Sequence, residues 1–112
     1  MITGRAKDII IRGGVNIAPL EIDAVLASHP AVAEAATVGV PDQAYGEEVV
    51  SYIALKPGAA ASAEELSEHC RRRLPEFKTP KAIIFADSLP KTARGKLDRK
   101  VLVEQWHNDR AR

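Results

Sequence analysis

Basic side chains crowd a loop-forming stretch near the C-terminal end of the sequence. Residues 89–100 read LPKTARGKLDRK and contain Lys91, Arg94, Lys96, Arg99 and Lys100. Because Lys96 directly follows Gly95, its backbone can approach a ligand closely, and a flexible ammonium is a point charge suited to phosphate oxygens. The sequence lacks the G-x-x-x-x-G-K-[ST] pattern of a fixed phosphate loop. The stretch is thus either an anion-binding loop or a solvated surface turn.

A glycine pair near the N-terminal end is the second candidate for a ligand-facing element. Residues 8–12 form a β-branched run, DIIIR, and residues 15–17 resume it after Gly13 and Gly14. This pattern predicts a tight hairpin. Glycines at a strand tip tolerate positive φ and let a ligand lie against bare backbone. An ordinary hairpin turn is the alternative interpretation.

The elements that hold these two segments follow from apolar periodicity and capping residues. Pro19 suits the first turn of a helix, and Ser62 with Glu65 forms a capping box. After the hairpin, the predicted order is a helix at 19–28, strands at 32–40 and 49–55, a helix at 62–73, a strand at 81–86 and a last helix begun by Asp98. Such interleaving in 112 residues predicts one α+β domain: a small mixed β-sheet with a short N-terminal hairpin and about three packed helices.

Composition excludes several classes of function. The net charge of +1 gives no whole-molecule case for nucleic-acid binding. No run of about eighteen apolar residues occurs, so no membrane span is predicted. From residue 91 onward, seven Lys and Arg residues stand against three Asp and Glu residues. This local excess of positive charge indicates either a local anionic ligand or a solvated tail.

The cysteine and the histidines give no sign of nucleophilic or metal chemistry. Leu66, Cys70 and Leu74 follow one another at the spacing of one helix face, which predicts a core position for the only cysteine. A single cysteine forms no internal disulfide and fits a reducing cytoplasm. The three histidines lie far apart without metal-ligand spacing, so no metal site is predicted.

Four ordered stretches together resemble the C-terminal domain of the adenylate-forming superfamily, which includes acyl-CoA synthetases, luciferases and peptide-synthetase adenylation domains. These stretches are GRAKDIIIRGGVNIAPLEID (4–23), HPAVAEAATVGVPD (29–42), FKTPK (77–81) and PKTARGK (90–96). The similarity is closest to acyl-CoA synthetases. It implies that residues 1–112 are a small domain whose large N-terminal domain is absent, with a hinge and hairpin segment at 1–18 and a catalytic-lysine loop at 89–100.

The resemblance also implies a reaction in two steps. A carboxylic acid attacks ATP to give an acyl-adenylate and pyrophosphate, and the thiol of CoA then displaces AMP. ATP and CoA would be substrates, with Mg²⁺ arriving through ATP, and this domain alone would hold no cofactor. The partner would be the large N-terminal domain, which binds ATP and the acid. We therefore expect the isolated domain to be inactive.

By the same similarity, individual residues receive roles. Lys96 would be the adenylation lysine, and Lys7 would occupy the hinge about which the domain rotates. Gly13 and Gly14 would line the tunnel for the pantetheine arm of CoA.

Further positions match the part of the family that binds the CoA nucleotide. Tyr45 and Phe77 would flank the adenine. Thr79 stands where some relatives have an arginine near a CoA phosphate, so Lys78 or Lys81 would substitute for it.

Two other interpretations stay open at this point. The chain could be the small domain of an enzyme that loads a carrier protein, because PKTARGKLDRK is compatible with both classes. It could also be a free-standing α+β binding module, since it starts with Met and has no catalytic domain of its own.

Overall fold

The computed structural model describes residues 9–111, with side chains up to Asp109. The elements in chain order are β1 (Ile10–Arg12), β2 (Val15–Ile17), α1 (Pro19–Ala27), β3 (Val32–Asp42), β4 (Gly46–Leu55), α2 (Ala63–Arg71), a 3-10 helix (Glu76–Lys78), β5 (Ala82–Phe85) and α3 (Arg99–Ala111). The α+β prediction of a mixed sheet, an N-terminal hairpin and three helices is confirmed.

Two sheets form from these strands. β1 and β2 pair antiparallel as the predicted hairpin. The larger sheet has the order β3-β4-β5, in which β3 and β4 are antiparallel and β4 and β5 are parallel. β4 is therefore the central strand and β3 an edge strand.

The larger sheet is covered on both faces, and β4 shows this in its sequence. Val49 and Ile53 pack with buried residues of α1 and α2, whereas Val50 and Tyr52 pack with Leu102 of α3. Successive side chains of a strand point to opposite faces, so a strand buried on both sides needs a continuous apolar run. The sequence VVSYIAL meets that need.

Cys70 lies in the core beside α1, as its spacing predicted. It is fully buried together with Leu66. Burial raises the pKa of the Cys70 thiol to about 11, so the thiol stays protonated at neutral pH and is no nucleophile.

The capping box predicted at the start of α2 is only half present. Ser62 Oγ accepts a hydrogen bond from Glu65 N–H at 3.0 Å, which caps the helix. The Glu65 carboxylate, however, lies 2.9 Å from His29 Nε2 instead of returning to the Ser62 backbone. His29 follows α1, so Glu65 joins the two helices, a long-range contact that the local motif could not reveal.

A side-chain pair replaces the missing neighbour of the edge strand β3. Thr37 N–H donates to Asp23 Oδ1 at 2.7 Å, and Arg99 Nη1 donates to Thr37 O at 2.8 Å. Arg99 Nη2 also donates to Asp23 Oδ2 at 2.6 Å. Burial raises the pKa of the Asp23 carboxyl, and the Arg99 charge opposes that rise. The pair thereby links α1 and the start of α3 to the middle of β3. It also provides hydrogen-bond partners for the backbone N–H and C=O of Thr37, which no neighbouring strand pairs.

Replacing Arg99 with methionine should therefore destabilise the domain. The Asp23 carboxylate would stay largely buried without its cation, and Thr37 O would lose its donor. We expect the free energy of unfolding to fall by about 2 kcal/mol, measured by urea denaturation. Arg94→Met, on an exposed loop, should change it by no more than about 0.5 kcal/mol. Equal losses in the two variants would contradict the role of Arg99.

No helix within residues 9–111 is both long and apolar enough to cross a membrane.

Candidate functional site

The glycine turn of the hairpin contacts the loop between β3 and β4. Gly13 N–H donates to Tyr45 O at 2.8 Å. Gly13 and Gly14 have φ of 59° and 85°, a conformation that side chains disfavour. A Cβ atom at position 13 would lie 3.3 Å from Tyr45 Cδ1, whereas one at position 14 would meet nothing within 4 Å. Gly13 therefore serves packing and conformation, whereas the space beside Gly14 is open.

A groove of about 690 Å³ lies beside this turn. Its lining combines aromatic, cationic and anionic side chains: Arg12, Tyr45, Glu48, Arg71, Glu76, Phe77, Thr79, Pro80 and Lys81. Tyr45 and Phe77 are 46% and 40% exposed, so both rings are accessible from the groove. The fold thus brings together the two aromatic residues that the sequence assigned to a nucleotide. Flat exposed rings in an open groove can stack on a base.

Two lysines follow Phe77, and they lie in different places. Lys78 Nζ binds Glu21 of α1 at 2.8 Å and lies 5.9 Å from the centre of the Phe77 ring. Lys78 is not part of the groove lining, whereas Lys81 is, together with Thr79. Lys81 Nζ has only a long contact of 3.9 Å with Asp42. Of the two lysines proposed for a phosphate, Lys81 is the one that lines the groove.

Sequence reasoning missed Arg12 and Glu48 in this groove. The Arg12 guanidinium lies 4.1 Å from the centre of the Tyr45 ring, and its Nε donates to Glu48 Oε2 at 2.7 Å. Arg12 and Glu48 are 36 positions apart, so no local pattern joins them. The one available signal was the position of an arginine directly before the glycine pair.

The loop with Lys96 is held by its own backbone. Thr92 N–H donates to Lys96 O at 2.7 Å, and Lys96 N–H donates to Thr92 Oγ1 at 3.3 Å. Gly95 takes a φ of 85°, which permits the tight turn. The Lys96 side chain is exposed. The structure thus presents an exposed ammonium on a hydrogen-bonded loop.

This loop and the groove lie towards opposite ends of β3. Lys91, at the base of the loop, binds Glu34 near the start of β3 with Nζ and Oε2 2.8 Å apart. Tyr45 follows the end of β3 at Asp42. Eight steps of strand separate Glu34 from Asp42, which corresponds to about 26 Å. The base of the lysine loop and the groove therefore lie towards opposite ends of this strand.

Lys7, the predicted hinge residue, lies outside the described residues. Within the described part of the chain, no group of three His, Cys, Asp or Glu side chains is placed to hold a metal ion.

The fold and these surfaces define a small α+β domain with an open aromatic groove and a separate lysine loop. The chain belongs to the family of AMP-binding enzyme C-terminal domains, whose pattern its residues 21–96 match.

Similar proteins are CoA ligases. The chain is 50% identical over 102 residues to a sulfoacetate–CoA ligase from Cupriavidus necator, covering 91% of this chain and 20% of that protein. It is 45% identical over 106 residues to an oxalate–CoA ligase from Saccharomyces cerevisiae, covering 95% and 20%. Its structure matches that of apo MatB from Rhodopseudomonas palustris with a TM-score of 0.88 and 36% identity, covering 91% and 20%. The chain thus spans about a fifth of the length of these relatives.

Proposed function

We propose that the chain acts as the small domain of an ATP-dependent acyl-CoA synthetase, which converts a carboxylic acid, ATP and CoA into acyl-CoA, AMP and pyrophosphate. The observation that most supports this is an exposed lysine on a hydrogen-bonded loop together with a separate groove of aromatic and cationic side chains. The similarity to CoA ligases supports the same reaction.

In the first step, Lys96 would neutralise charge. Its ammonium would contact the acid's carboxylate and the α-phosphate of ATP as the acyl-adenylate forms. The loop backbone is already fixed by its bonds to Thr92, so only the side chain needs to be ordered. A preorganised contact of this kind typically contributes about 2.7–4 kcal/mol. Mg²⁺ would enter with ATP, and both would be held by the large N-terminal domain.

In the second step, the groove would bind CoA. The adenine would stack on Tyr45 and Phe77, and Lys81 would contact a phosphate, with Lys78 as a further cation nearby. The backbone of Gly13 and Gly14 would flank the pantetheine arm on its way to the adenylate.

A movement of the domain between these steps would let the two elements act in turn. The domain would rotate about a hinge at Lys7, so that first Lys96 and then the glycine turn faces the large domain. The exposed aromatic groove favours free CoA over a carrier protein as the acceptor, because it offers a stacking surface for the nucleotide. We place the reaction in the cytoplasm, in the metabolism of carboxylic acids such as fatty acids.

The isolated chain tests whether the small domain needs the large N-terminal domain for the reaction. We expect the 112-residue protein to fold, as judged by circular dichroism, but to catalyse no ATP–pyrophosphate exchange with any carboxylic acid. The complete synthetase should catalyse the exchange and then form a CoA thioester. Exchange by the isolated chain, or a complete protein that forms no thioester with CoA, would contradict the proposal.

A further inference from the structure

Arg12 is fixed in the groove from two sides. Its guanidinium lies over the Tyr45 ring at 4.1 Å, a distance suited to a cation–π contact. Its Nε donates to the carboxylate of Glu48, which is only 6% exposed and also accepts a hydrogen bond from Val49 N–H at 3.2 Å. These two contacts restrict the conformations that the Arg12 side chain can adopt.

The anchoring leaves the ends of the guanidinium unused. Glu48 engages Nε alone, and no acceptor within residues 9–109 bonds to Nη1 or Nη2. The hydrogen bond with Glu48 also raises the pKa of Arg12, so the group stays charged. Two donors on a fixed, planar cation match the oxygens of a phosphate group, which arginine binds in a fork.

The surroundings of Arg12 favour an anion that also has a flat ring. Arg71 and Lys81 line the same groove as Arg12, opposite the carboxylates of Glu48 and Glu76, although Arg71 Nη2 is also paired with Glu68 at 3.0 Å. The Glu48 carboxylate is already paired with Arg12. The exposed ring of Phe77 borders the groove as well. A nucleotide with phosphate groups combines both properties.

We propose that Arg12 binds a phosphate group of the CoA nucleotide, and that Glu48 and Tyr45 hold its guanidinium in position. This inference rests on the proposed function and adds a binding residue to it. A purely structural ion pair would also bring Arg12 and Glu48 together, but it predicts no change in KM for CoA when Arg12 is replaced.

The test uses the complete synthetase and measures thioester formation from preformed acyl-adenylate with three acceptors: CoA, 3′-dephospho-CoA and pantetheine. Arg12→Ala should raise KM for CoA on the order of tenfold, the lower range for a lost hydrogen bond to a charged group, with little change in kcat. KM for pantetheine, which has no phosphate, should stay the same. Arg12→Lys should recover part of the affinity, because it keeps the charge but loses the fork.

Two further variants separate binding from folding. Glu48→Gln keeps the arginine but weakens its anchor, so KM for CoA should rise by a smaller factor, about threefold. Arg72→Ala removes an exposed arginine that pairs with Glu68 outside the groove, and it should leave KM for all three acceptors unchanged. If Arg12→Ala does not fold, Arg12→Lys and Glu48→Gln still provide the comparison.

The acceptors give distinct outcomes. If Arg12→Ala raises KM for CoA but not for 3′-dephospho-CoA, Arg12 contacts the 3′-phosphate. If KM rises for both acceptors, Arg12 contacts the diphosphate. An equal rise in KM for pantetheine, or no rise in KM for CoA, would overturn the inference. A wild-type enzyme that uses pantetheine as well as CoA would instead contradict the proposed role of the groove.

Discussion

Replacing Lys96 with alanine in the complete synthetase is expected to slow acyl-adenylate formation by about 10²–10³. The ammonium would be lost at the point where charge develops on the acid and the α-phosphate. Transfer from preformed acyl-adenylate to CoA should be largely unchanged, because we propose that this lysine acts only in the first step. Single-turnover kinetics of each half-reaction measure the two effects separately.

The fold should tolerate this substitution. The loop is held by bonds between the backbone of Lys96 and Thr92, and these remain in the alanine variant. Stability should change by no more than about 0.5 kcal/mol. Lys96→Arg should recover only part of the rate, since a planar fork does not replace a compact ammonium. Lys100→Ala, a cation four positions away on α3, serves as the matched control and should adenylate at the wild-type rate. Equal adenylation rates in wild type and Lys96→Ala would refute the assignment.

Local sequence signals predicted the elements well because each has a local physical cause. The glycine pair takes the positive φ that the hairpin turn requires, and Pro19 lies in the first turn of α1. Asp98 accepts a hydrogen bond from Val101 N–H at 3.3 Å and begins α3 as predicted. These features depend on a few neighbouring residues, so the sequence was enough to place them.

The strands β3 and β4 are longer than their apolar runs indicated. The structure pairs Pro41 with Glu47 and Asp42 with Gly46, which extends the hairpin beyond the predicted ends at Val40 and Val49. Proline is tolerated there because β3 is an edge strand. Pairing between strands, and not side-chain propensity, sets these ends.

Long-range pairs were beyond the reach of sequence patterns. Arg99 and Asp23 are 76 positions apart, and neither has a neighbour that indicates its partner. The sequence was equally unable to predict the direction of the side chains of the two lysines after Phe77. Lys78 ends the 3-10 helix, and Thr79 and Pro80 separate it from Lys81, so that Lys78 binds Glu21 while Lys81 lines the groove. Residue types at the site were predictable, but their mutual placement required the fold.

In the complete synthetase, Gly14→Leu is expected to slow transfer to CoA on the order of 10²-fold and to leave acyl-adenylate formation nearly unchanged. Within residues 9–111, and apart from its chain neighbours, no atom lies within 4 Å of a Cβ built at Gly14, so a new side chain would project into the space proposed for pantetheine. Misplacement of a reacting group by about 1 Å can cost a factor of this size. Single-turnover transfer from preformed acyl-adenylate measures the loss.

The substitution also strains the backbone, and this effect needs its own control. Gly14 has a φ of 85°, where a side chain costs roughly 1–2 kcal/mol. Gly58 has a φ of 78° and is equally open, but it lies in the turn after β4, at the end of the sheet away from Tyr45. Gly58→Leu should therefore lower stability by a similar amount and spare transfer to CoA. If Gly14→Leu slows both half-reactions equally, or if Gly58→Leu matches its loss of transfer, the turn acts through folding, and the pantetheine path lies elsewhere.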